Sequence, residues 1–161
     1  MGPHPLDGVR RPEALLAALG PLAGARVAEV GAGGGYLTPW LAAAVGTDGL
    51  VVATDRDAEA LAALRARTAG LSQVRVVTIV GDKTGLEDGA FDLVLLVQVD
   101  HLLPPGLLTR FLPALRPRGR LALCNREPHQ ERAQAALAAL GVPWTAAPLA
   151  IPGSFLLLAQ P

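Results

Sequence analysis

The sequence predicts one doubly wound α/β domain: a mostly parallel, seven-stranded sheet with helices on both faces and an antiparallel hairpin at its C-terminal edge. Three observations carry this. Strand-like and helix-like segments alternate along the chain. Most strand segments are continuous apolar runs, as expected where both faces of a sheet are covered. The last two strand segments are joined by a turn at Pro152 and Gly153, with no helix between them, which suits an antiparallel pair.

The elements follow in order. Residues 1–10, with two prolines and two glycines, form an irregular arm. A helix covers 12–19, with Pro12 at its first position, where the missing N–H costs nothing. Arg26–Val30 is a strand and Tyr36–Val45 a helix. Leu50–Thr54 is the second strand, after which Asp57 caps a helix running to about Ala69. The β-branched run Val74–Val80 is a strand, followed by the turn-rich segment Gly81–Ala90. Phe91–Val97 reads as a central strand. A loop and short helix occupy Gln98–Leu115, broken by Pro104, Pro105 and Pro113. Arg120–Cys124 is a strand and Glu131–Leu140 a helix, and the strands Trp144–Ala150 and Phe155–Ala159 close the chain.

Composition bounds the function. The 161 residues are enough for one domain with a sizeable core, and 51% hydrophobic against 17% charged residues makes it globular. Lys+Arg and Asp+Glu are equal at 14 each, which gives no electrostatic case for nucleic acid. The single cysteine, Cys124, rules out an internal disulfide and a cysteine-rich metal site. The three histidines, His4, His101 and His129, lack metal-ligand spacing. Arg10 and Arg11 before the apolar run 14–25 superficially suggest an export signal, but Glu13, Gly20 and Pro21 interrupt it. No apolar segment reaches the length of a membrane span. A cytoplasmic protein fits these features, and a homodimer sharing an apolar edge is compatible with them.

The segment from Val27 to Tyr36 carries the functional signal. An apolar strand holding Glu29 runs into glycines at alternate positions, Gly31, Gly33 and Gly35, and then into a helix. Such a turn lets a ligand lie close to the backbone and aims free N–H groups at it. The dinucleotide fingerprint Gly-x-Gly-x-x-Gly fails in both registers, because Tyr36 or Thr38 occupies the third glycine position. The phosphate loop fails too: Gly81, Lys83 and Thr84 resemble its end, but Asp82 replaces the required glycine. Glu29 would repel a phosphate and suits a ligand with a cationic end.

With its acid before Gly-x-Gly-x-Gly, the loop resembles the first motif of class I S-adenosylmethionine-dependent methyltransferases, place for place at Glu29, Gly31, Gly33 and Gly35. Three further segments match in order: Thr54-Asp55, 22 residues past Gly33 at the corresponding acid; Gly81-Asp82 after the third strand; and Phe91–Val97 followed by Gln98. Leu115–Leu121 resembles the family's turn into the fifth strand, and Arg11-Pro12 the step before its first helix in small-molecule methyltransferases related to quinone and sterol modifiers. The resemblance implies a Rossmann-like fold and S-adenosylmethionine as cofactor. By the same resemblance Asp55 would hold the ribose hydroxyls, Arg56 would lie near the adenine, Asp82 would contact the adenine amino group, and Gln98 would face the cofactor. Ala32 and Lys83 are expected beside them.

The alternatives at individual residues stay open. His101 would be a general base beside the cofactor or a loop histidine hydrogen-bonded to nearby backbone. Tyr36 would line the pocket or pack the first helix. Arg10 or Arg11 would hold the cofactor carboxylate, or both would be surface charges. Gly34 stands where the subgroup often has Thr or Ser. The arm and the region before the final hairpin are short where relatives build substrate lids. The expected activity is direct methyl transfer to a small-molecule acceptor. The competing readings are a non-catalytic S-adenosylmethionine-binding protein or partner subunit and, more remotely, a nucleotide-linked oxidoreductase.

Overall fold

The computed structural model describes residues 11–104 and 106–161; the arm expected at 1–10, with His4 and Arg10, lies outside them. Among the described residues four α-helices and seven strands follow one another: α1 (Pro12–Leu19), β1 (Arg26–Val30), α2 (Thr38–Val45), β2 (Leu50–Asp55), α3 (Ala58–Thr68), β3 (Val74–Thr78), β4 (Phe91–Val97), β5 (Leu115–Arg126), α4 (Gln130–Leu140), β6 (Trp144–Ala147) and β7 (Ser154–Ala159). Short 3-10 turns at Asp100–Leu102, Leu107–Ala114 and Glu127–His129 fill the connections after β4 and β5.

All seven strands form one sheet in the order β3-β2-β1-β4-β5-β7-β6. The first five pair in parallel, and β7 runs antiparallel to both β5 and β6. The strand order reverses between β1 and β4, and ligands of open α/β sheets bind beyond the carboxyl ends of the strands at such a point.

Strand alternation divides the core. On one face Ala28, Val30, Val94, Leu96, Leu121 and Leu123 pack toward α4 and the 107–114 turn. On the other, Val27, Val51, Leu93, Leu95 and Ala122 pack against Leu15 and Leu19 of α1 and Leu41 and Val45 of α2. Because β4 feeds both layers, it is apolar along almost its whole length, as its sequence suggested. Among the described residues no helix is long and apolar enough to cross a membrane.

The differences from the sequence reading have local causes. β3 stops at Thr78 because β2, its partner, ends at Asp55; Val80 is left 72% exposed. β6 stops before Pro148, which has no N–H for the ladder. α2 begins at Thr38 because left-handed Gly35 precedes it (φ 79°). β5 starts five residues early, at Leu115, through a register shift between Phe91 and Leu93. At the shift a Cβ on Gly119 would meet the carbonyl oxygens of Arg116 and Phe91 at 2.9 Å, so only glycine fits.

The cap on α3 is as the sequence indicated: Asp57 Oδ1 accepts the Ala60 N–H at 2.7 Å. Asp57→Ala should cost about 1 kcal/mol in thermal unfolding and Asp57→Asn only a fraction of that. Equal melting of all three proteins would show that the cap adds nothing.

Candidate functional site

The first loop is built by backbone conformation. Gly31, Gly33 and Gly35 have φ of 70°, 56° and 79°, the left-handed region disfavoured for residues with a Cβ. A Cβ on Gly31 would lie 2.7 Å from Val99 Cγ1, and one on Gly35 would lie 2.6 Å from Leu64 Cδ1. Gly31 therefore admits the segment after β4, and Gly35 admits α3. Gly33 faces open space. Gly34 has no positive φ, and a Cβ there would make an ordinary 3.7 Å contact with Ala63, so nothing in the loop requires glycine at that place.

Asp55, at the end of β2, braces this loop. Its Oδ2 accepts the Gly33 N–H at 2.8 Å, and its Oδ1 accepts the N–H groups of Arg56 and Asp57 at 2.7 and 3.0 Å. A carboxylate has about four acceptor sites, so roughly one remains for a ligand. Ala32 is buried below the loop, its N–H donated to the Thr54 carbonyl at 2.8 Å.

A cleft of about 250 Å³ opens at this end of the sheet. Gly31, Asp55, Arg56, Asp82 and Lys83 line it, together with Ile79, Val99, Leu102, Leu103, Leu107 and Phe111. The fold thus brings five of the expected residues to one cavity. Asp82 and Arg110 close its rim: Arg110 Nη1 lies 2.6 Å from Asp82 Oδ2 and donates to the Asp82 carbonyl at 2.8 Å. The guanidinium holds the Asp82 carboxyl below the usual carboxylate range.

The other expected residues are not among those that line the cleft. Glu29 is buried beneath the glycine loop and accepts the Thr38 hydroxyl at 2.6 Å. Burial pushes its carboxyl up to about 7, the Thr38 bond opposing and the Asp55 charge adding to the rise. Gln98 is buried with φ 56°, a strained conformation for a side-chain-bearing residue, and its N–H donates to the Cys124 carbonyl at 2.8 Å. This bend carries the chain from β4 to Val99. Tyr36 is 37% exposed. Arg11 precedes α1, its carbonyl accepting the Ala14 N–H at 3.0 Å. Neither residue lines the cleft.

His101 also stands outside the lining residues. Its Nδ1 is 2.9 Å from Asn125 Nδ2, and its ring stacks on His129 with centroids 4.1 Å apart. Burial, and then the neighbouring His129, lower its pKa from the ordinary value; Asp100 opposes this and Arg132 adds to it.

Sequence reasoning missed the apolar wall. Ile79, Leu102, Leu103, Leu107 and Phe111 belong to no motif; the only available signal was their position after the carboxyl ends of β3 and β4. It also missed Arg110, which lies 28 residues from Asp82.

Comparison with known proteins agrees with this geometry. A protein-family profile described as "Methyltransferase domain" matches residues 27–119, more than half of the chain. No curated protein matches the sequence. Among solved structures, a SAM dependent methyltransferase from Aquifex aeolicus superposes with a TM-score of 0.86 at 23% identity, over 98% of this chain and 93% of that one. An S-adenosylmethionine dependent methyltransferase from Mesorhizobium loti gives 0.78 at 17% identity, over 97% and 100%. Fibrillarin from Aeropyrum pernix, crystallised with natively bound S-adenosyl-L-methionine, gives 0.68 at 13% identity, over 88% and 68%. The chain belongs to the methyltransferase-domain family and has the fold of the class I S-adenosylmethionine-dependent enzymes.

Proposed function

We propose that this domain holds S-adenosylmethionine in the cleft between the glycine loop and the segment after β4, and passes its methyl group to a small-molecule acceptor. One observation carries the reading: the Asp55 carboxylate is fastened to left-handed Gly33 at an open cleft and keeps an acceptor site free.

The residues present fit this cofactor. The bare backbone at Gly33 leaves room for close approach. The free acceptor site of Asp55 suits a ribose hydroxyl. Ile79, Leu102 and Leu103 give an apolar wall for a flat base. When bound, the cofactor supplies a methyl group on a cationic sulfur that leaves as a neutral thioether. Asp55 and the glycine loop orient it, the apolar wall excludes water, and the Asp82–Arg110 pair fixes the rim. The balanced charge of the chain supports a small acceptor over a polyanion.

Calorimetry with S-adenosylhomocysteine and with NAD tests the cofactor. Binding of the first and not the second is expected, and the reverse would overturn the reading. Transfer of labelled methyl to a panel of phenols, amines and thiols tests the activity. Tight S-adenosylhomocysteine binding without transfer across a broad panel would favour a binding protein that works with a partner subunit.

A further inference from the structure

We propose that Asn125 is a positioning residue for the cleft: its amide fastens the 99–104 wall to β5 by holding His101 in a single neutral tautomer. Asn125 sits at the carboxyl end of β5 and is 2% exposed. Its amide orientation follows from its partners. Oδ1 accepts the Arg126 N–H at 2.8 Å, and Nδ2 lies 2.7 Å from Asp100 Oδ1, which as a carboxylate only accepts. The second Nδ2 hydrogen is the one facing His101 Nδ1 at 2.9 Å. Nδ1 must then be the acceptor, and the proton of the neutral ring belongs on Nε2. Protonating Nδ1 would set N–H against N–H and break the bond.

The surroundings agree. On the ring's face His129 stacks at 4.1 Å with an interplanar angle of 16°. Arg132 of α4 adds positive charge, and Asp100 on the same turn favours an imidazolium. Cys124 beside them stays a neutral thiol, pushed up to about 12 by burial. The neutral ring is therefore the form that the cluster holds.

Its place in the chain couples this cluster to the cleft. Val99, Leu102, Leu103 and Pro104 lie on either side of His101 and line the cavity. Among the described residues, the side-chain hydrogen bonds tying this segment to β5 both come from Asn125. Losing them frees the wall that rests on Gly31. The effect on ligand affinity rests on the proposed function; the tautomer does not.

Side-chain ¹⁵N NMR of the ligand-free protein tests the tautomer, with proton on Nε2 expected. In Asn125→Leu the His101 midpoint should rise, because a donor that opposes protonation is gone, and S-adenosylhomocysteine affinity at pH 7.5 should fall by about tenfold. In His101→Asn the Oδ1 takes the place of Nδ1 as a non-titrating acceptor. That variant should bind as the wild type does at pH 7.5, while one pH unit below the His101 midpoint read by the same NMR titration the wild type should have lost about fivefold more affinity than the variant. Glu29 is common to both proteins and cancels in this ratio. An Nδ1–H tautomer, or equal loss of affinity in the two proteins, would overturn the proposal. If the wild type binds no S-adenosylhomocysteine, the functional reading fails, and the NMR result alone decides the role of Asn125.

Discussion

Asp55→Ala is expected to lower S-adenosylhomocysteine affinity at least tenfold, about 1.4 kcal/mol, and to destabilise the ligand-free domain by about 1–3 kcal/mol. The two effects share one cause. The carboxylate accepts three backbone N–H groups, from Gly33, Arg56 and Asp57, and so joins the end of β1 to the end of β2. Charge-assisted bonds of this kind are the stronger ones, but the site is partly open to water, which takes over some of the donors and limits the cost. What water cannot replace is the restraint on Gly33, held at φ 56° in the loop whose Gly31 lines the cleft. A loop free to relax there must be ordered again by the ligand, and that cost appears as lost affinity. Asp55→Asn is not a neutral control. Its single oxygen can serve Gly33 or the Arg56–Asp57 pair, and its amide nitrogen then faces an N–H on the other side. It should fall between wild type and alanine in both calorimetry and thermal melting. Unchanged affinity in Asp55→Ala would place the ligand somewhere other than this cleft.

What the sequence revealed of this site was mostly backbone. Left-handed conformations leave a one-letter trace, so the alternation of Gly31, Gly33 and Gly35 was readable, and with it the turn at the end of β1. Asp55 was readable because an acid at a strand end has a fixed distance to that turn. Continuous apolar strands and the Pro152-Gly153 turn indicated the parallel sheet and its antiparallel edge, which the structure bears out. Side-chain partnerships were not readable. Arg110 reaches Asp82 from a 3-10 turn whose place depends on how the chain packs after β4. His101 and His129 meet only because the segments following β4 and β5 end side by side. Residue type alone also does not say which way an acid points. Glu29 suggests a cationic ligand when read as a charge, whereas in the fold its carboxyl lies inside against Thr38. Gln98 shows the converse: a left-handed residue without glycine's signature, invisible until the bend after β4 is seen.

Glu29→Gln should stabilise the ligand-free domain at alkaline pH and leave it unchanged in acid. Burial raises the Glu29 carboxyl from 4.5 to about 7 in the folded protein. Between those values the folded chain holds a proton that the unfolded chain has released. Stability from this group is therefore complete below pH 4.5, declines as pH rises through the window, and is lost above about 7. The accumulated penalty is about 3 kcal/mol at pH 8, taking 1.36 kcal/mol for each pH unit. Glutamine has nearly the same shape and its Oε1 can still accept the Thr38 hydroxyl, yet it carries no charge at any pH. Relative to wild type, the variant should gain up to about 3 kcal/mol at pH 8, a rise in melting temperature of several degrees for a domain of this size, and should match wild type at pH 4. The difference should build up across the window and level off above it. A bound ligand whose cationic end reached the carboxyl would favour its charged form and shrink the wild-type penalty, so the comparison belongs in ligand-free protein. If the two proteins instead show the same melting curve against pH from 4 to 8, the carboxylate must be solvated or paired in the folded state, and the ion must tolerate its place under the glycine loop without cost.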